Sequence, residues 1–150
     1  MGSEEVTIVA WDGKVLATDS AATDGATQWE TEKAWYHTCD EGKVILSGAG
    51  PLQTILQMRD WFMNGALHKN FPNAQLTPQF CHFVVVNHNG LCRYEQGPIP
   101  IDHGYHKCAF GEGKDFAMGA FDMGANASTA VQIAIDHSVH CGLSVKLYQL

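Results

Sequence analysis

The feature that most constrains this chain is the dipeptide Asp12-Gly13, set between two short runs rich in β-branched and apolar residues. Asp-Gly supplies the positive backbone angles that a tight hairpin turn needs, so Val6-Thr7-Ile8-Val9-Ala10-Trp11 and the run from Lys14 to Ser20 are expected to pair as a β-hairpin. Polar and small residues over 21–31 read as a loop. A second hairpin follows over 33–39 and 43–47, turning at Asp40-Glu41-Gly42. Gly48-Ala49-Gly50-Pro51 then breaks the sheet and opens a helix, with Pro51 suited to the first turn.

Leu52, Ile55, Leu56, Met58 and Trp61-Phe62 recur at helical spacing through about Leu67, and 71–78 reads as a connection. Residues 81–87 and 91–95 form a third hairpin around His88-Asn89-Gly90, ended by Gly97-Pro98-Ile99-Pro100. A short strand is expected at 108–110, helices at 115–121 and 127–137 with Asn126 as N-cap, and a closing strand at 143–150. Strands and helices come in blocks, which favours an α+β fold with antiparallel sheet and helices layered outside. At 150 residues, with no linker or repeat, the chain is read as a single domain over 1–150. Met1-Gly2-Ser3 reads as a cloning remnant, and residues 1–5 as a tag or propeptide.

Composition excludes several classes. A net charge of −7 with only nine Lys and Arg argues against nucleic-acid binding, which needs a basic face. The sequence has no apolar run of membrane-spanning length and no signal-peptide pattern at its start. Five scattered cysteines without a C-x-x-C fit reduced thiols and a cytoplasmic location. His103-x-x-His106 with Cys108 and His137-x-x-His140 with Cys141 have a superficial look of metal ligands. Neither contains a second spaced pair of the zinc-finger type, and no metal ligand is assigned.

Three stretches, in order, resemble the proteasome β-subunit family, including the bacterial HslV peptidase and smaller phage-type relatives. They are the run Thr7 to Asp19, the run from Lys33 through Val44-Ile45-Leu46-Ser47-Gly48-Ala49-Gly50, and Phe110-Gly111-Glu112-Gly113-Lys114-Asp115-Phe116-Ala117-Met118-Gly119-Ala120, with 130–145 behind it. The resemblance implies a four-layer αββα sandwich of the N-terminal-nucleophile (Ntn) hydrolase type. It also implies a peptidase or amidase in which the first residue of the mature chain is both nucleophile and, through its α-amine, base.

On that resemblance Asp19 falls on the second-strand aspartate and Lys33 on the third-strand lysine, the pair that tunes the amine. Gly48, Ala49 and Gly50 fall on the loop that supplies oxyanion N–H donors. If Lys33 is catalytic, Lys33→Ala removes activity and leaves folding nearly intact. Elsewhere the sequence departs from the family: the serine of Gly-Ser-Gly is Glu112, and the later Asp and Ser read Ser138 and Cys141.

The nucleophile falls somewhere among residues 3–7. Thr7 serves only after removal of the first six residues, Ser3 only after removal of Met1-Gly2, and Val6 has no nucleophilic atom. Two functions follow. One is a threonine-type peptidase with a partly eroded catalytic set, with Thr7, Asp19 and Lys33 as its catalytic residues. The other is a non-catalytic pseudoenzyme that binds and self-assembles on the same scaffold. The resemblance implies no metal or organic cofactor. As partners it implies a homo-oligomer built as a ring or a dimer of rings, with a peptide substrate or a protein partner. Trp61, Phe62 and the stripe to Leu67 are the expected subunit contact.

Overall fold

A computed structural model describes residues 5–24 and 27–150. Two antiparallel sheets carry the fold. The first has six strands: β1 (Glu5–Val6), β6 (Ala34–Cys39), β7 (Gly42–Pro51), β8 (His82–Asn87), β9 (Gly90–Tyr94) and β10 (Ile101–Gly104). The second has the order β11-β2-β3-β12, from β2 (Val9–Trp11), β3 (Leu16–Asp19), β11 (Cys108–Phe110) and β12 (Val145–Tyr148). A separate hairpin joins β4 (Ala21–Asp24) to β5 (Thr27–Glu30).

Side-chain alternation explains the layering. Val9, Trp11 and Leu16 enter the core shared with the first sheet, whereas Ala10 and Ala17 face the opposite way. There they are covered by α2 (Lys114–Asp122) and α3 (Ala127–His137), through Ala117, Ala130, Val131 and Ala134. α1 (Leu52–Met63) covers the first sheet with Ile55, Met58 and Trp61. The result is helix, sheet, sheet, helix pair: the four-layer αββα sandwich.

Asn126 caps α3 as the sequence implies, its side chain accepting from Thr129 N at 2.9 Å. Asp12 does more than make a turn. Its carboxylate accepts from Lys14 N, Val15 N and, across the fold, Ala127 N at the start of α3, at 2.9, 2.8 and 2.9 Å. Burial opposes its ionisation, but those N–H donors and Lys107 outweigh burial and hold the carboxyl below its usual range. Asp12→Ala is expected to lower stability by about 1–2 kcal/mol, measured by urea unfolding. The folded-state pKa is depressed, so this contribution is fully present above about pH 4, the unfolded value, and is lost as pH falls through the lowered folded value.

The structure corrects several sequence expectations. The opening strand is broken: Glu5–Val6 belongs to the first sheet, and only Val9–Trp11 pairs in the hairpin with β3. The segment read as a loop after Ser20 forms the β4–β5 hairpin, and β10 was unforeseen. Gly48, Ala49 and Gly50 do not break the sheet but lie within β7, opposite Phe83, His82 and Val6. Gly48 is required by packing, since a Cβ there would sit 2.8 Å from the His82 carbonyl oxygen. Trp61 is not a surface contact. It is buried, meeting Phe71 and Tyr94 edge-on with centroids at 5.2 and 5.3 Å.

Candidate functional site

The break after β1 carries the chain from one sheet to the other, and Thr7 sits at the crossing. Its hydroxyl lies 3.0 Å from the His140 carbonyl oxygen and 3.3 Å from Asp19 Oδ2. Its own carbonyl accepts from Gly113 N at 3.0 Å. Asp19 ends β3 and is completely buried, with Lys33 Nζ 2.9 Å from its Oδ1 and Gly142 N 3.0 Å from its Oδ2. Lys33 is held from behind, as Ser47 Oγ donates to its carbonyl at 2.6 Å. The structure thus brings Thr7, Asp19 and Lys33 into one buried cluster.

Gly48, Ala49 and Gly50 meet that cluster differently. Their strand is flanked by β8 along 45–49 and by β1 at 50–51, and the residue facing Gly50 is Val6. Val6 is 1% exposed and belongs to the hydrophobic core between the sheets. Ser3 lies outside the described residues.

Sequence reasoning missed the cover over Thr7. Glu112 Oε2 lies 3.0 Å from His140 Nδ1, so Glu112 joins the segment whose backbone holds the Thr7 hydroxyl. A cavity of about 210 Å³ adjoins Thr7, bounded by Glu5, Gln28, Glu112 and His140. Cys141 is buried beside it; burial pushes its thiol up, against hydrogen bonds from Thr7 and Ser138 that pull it down. Such a thiol is poorly nucleophilic at neutral pH. Because its partner is a backbone carbonyl, the Thr7–His140 contact leaves no trace in residue types.

Among the described residues no group of three or more His, Cys, Asp and Glu is arranged to hold a metal ion, and no helix is long and apolar enough to cross a membrane.

The four-layer arrangement is that of the proteasome-like Ntn-hydrolase fold. Solved structures agree. The chain superposes on HslV from Trypanosoma brucei with a TM-score of 0.62 at 16% identity, covering 95% of this chain and 98% of that one. It superposes on Thiobacillus denitrificans BPH with a TM-score of 0.68 at 18% identity, covering 96% and 97%. A second BPH structure, in complex with epoxomicin, gives a TM-score of 0.69 at 16% identity, covering 96% and 98%. No protein-family model and no curated protein matches the sequence.

Proposed function

We propose that this protein is a non-catalytic, self-assembling binding protein on the proteasome-like scaffold. The observation that carries this reading is Val6, a hydrocarbon side chain buried opposite Gly50, where the family resemblance leads one to look for a nucleophile. Thr7 gains an α-amine to serve as base only if the Val6–Thr7 bond is cut. Exposing one means cutting after a residue whose burial is worth about 1.5–3 kcal/mol and removing the β1 pairing with it. The Thr7 hydroxyl is already engaged by Asp19 and His140. In this reading Thr7, Asp19 and Lys33 form a structural cluster. Self-association is supported by apolar side chains on the outer helices, with Phe116 exposed and Met123 89% exposed beside a groove between α2 and α3.

A second reading, an N-terminal threonine peptidase, is favoured by one observation: the contact of Thr7 with the Asp19–Lys33 pair beside an open cavity. There Thr7 would be nucleophile and base after processing, Asp19 and Lys33 would tune its amine, and β7 would supply oxyanion donors. Epoxomicin, the compound in the BPH complex, separates the two by intact-protein mass. The expected result is no added mass in either the wild type or Thr7→Ala. An adduct that forms on the wild type and disappears in Thr7→Ala would overturn the non-catalytic reading.

A further inference from the structure

A second and larger cavity, about 380 Å³, shares Glu5 and Glu112 with the cavity at Thr7 and reaches Val6 and Gly50. Its floor is apolar, made by Val6, Ala49, Phe80, Ala109 and Phe110. Its polar lining is uneven, with Arg93 of β9, His82 of β8 and Lys114 at the first turn of α2 converging on it. The His82 ring stacks on Phe110 (centroids 5.9 Å, 25°), and the Arg93 guanidinium lies over the same ring at 5.8 Å. Phe110 thereby fixes both groups at the cavity wall.

Several carboxylates face these groups. Glu95 contacts Arg93 and lies 3.2 Å from His82 Nδ1, which has no hydrogen-bonded partner. Glu112 is engaged by His140, and Glu5 also lines the cavity. Among the described residues Lys114 has no ion-pair partner, and the N-terminal end of α2 adds positive potential beside it.

We propose that this cavity binds a single carboxylate carried on an apolar group, the chemistry of a peptide C-terminus ending in an aliphatic residue. Lys114, and Arg93 through the Nε–H that Glu95 leaves unpartnered, take the charge, and the apolar lining takes the side chain. Glu5 and Glu112, exposed carboxylates in the lining, disfavour a dianion such as phosphate. Burial, reinforced by Arg93 and Lys114 and opposed by Glu95, pulls the His82 imidazole below its ordinary range and so favours its neutral form in the free protein. An anion bound beside it favours the protonated form, and binding therefore takes up a proton and tightens as pH falls. This proposal deepens the binding-protein reading and rests on it. It is measured at His82 rather than at the bond before Thr7, so the two can fail separately.

The test is a proton NMR titration of His82, assigned with His82→Gln, in the full chain. The ligands are N-acetyl-leucine, its carboxamide, inorganic phosphate and a tripeptide ending in leucine. The two carboxylates are expected to shift the His82 signal saturably and raise its titration midpoint, the tripeptide binding more tightly if a peptide terminus is the natural source. The carboxamide and phosphate are expected to leave it unmoved. Lys114→Gln and Arg93→Gln should each weaken carboxylate binding about tenfold. Lys114 is exposed, so its variant keeps the test open should Arg93→Gln fail to fold. Equal binding of the carboxamide, an unmoved His82, or unchanged affinity in Lys114→Gln would overturn the proposal.

Discussion

Lys33→Met is expected to destabilise the protein by about 3–5 kcal/mol, because it leaves the carboxylate of Asp19 buried without its counter-charge. Lys33 is 1% exposed and Asp19 is fully buried, so water replaces none of the lost interaction. The remaining donors to Asp19, the Thr7 hydroxyl and Gly142 N, are neutral dipoles and do not balance a full charge. Asp19→Asn should cost a similar amount by stranding the ammonium. The double variant Lys33→Met/Asp19→Asn should recover a large part of the sum, since neither charge is then stranded. Urea midpoints of the four proteins complete the cycle. A single-variant loss below about 1 kcal/mol would show the pair to be solvated and the cluster misdescribed. The expectation that Lys33 can be truncated with folding nearly intact suits a lysine facing a solvated site, and the burial found here removes it.

Gly111→Ala is the second large effect. Gly111 holds φ +108°, and a Cβ built there lies 2.3 Å from the Thr7 carbonyl oxygen, a backbone atom that cannot swing aside. The positive φ alone costs about 1–3 kcal/mol for an alanine, and the clash adds to it. A loss of about 3 kcal/mol or more is expected, with Gly97→Ala as a control because a Cβ there meets nothing within 4 Å. A Gly111→Ala variant as stable as the control would mean that the 111–113 turn does not press on Thr7 as described.

The legible parts of this fold were those fixed by local chemistry. Asp12-Gly13 announced its turn and Asn126 announced its cap. Where small residues leave periodicity flat, as at Ala21 and Ala22, the β4–β5 hairpin read as a loop. β10 was hidden because Pro98 and Pro100 precede it and Asp102, His103 and Gly104 carry little strand preference. Trp61 shows the limit of a helical stripe, which reveals that a face is apolar but not what covers it.

At the site, the pairing of Asp19 with Lys33 was legible only through the family resemblance, because no local rule joins the end of β3 to the residue before β6. The placement of Val6 opposite Gly50, and of Thr7 beneath the His140 carbonyl, depends on how two sheets meet. Residue types alone do not encode that register.

The central claim is that the bond before Thr7 stays closed and that its hydroxyl is structural. Intact mass with peptide mapping of the purified protein, before and after incubation with an electrophilic peptide, tests it most directly. The expected result is an uncut Val6–Thr7 bond throughout and no added mass. A population beginning at Thr7 that takes up the electrophile, and does so no longer in Thr7→Ala, would contradict it.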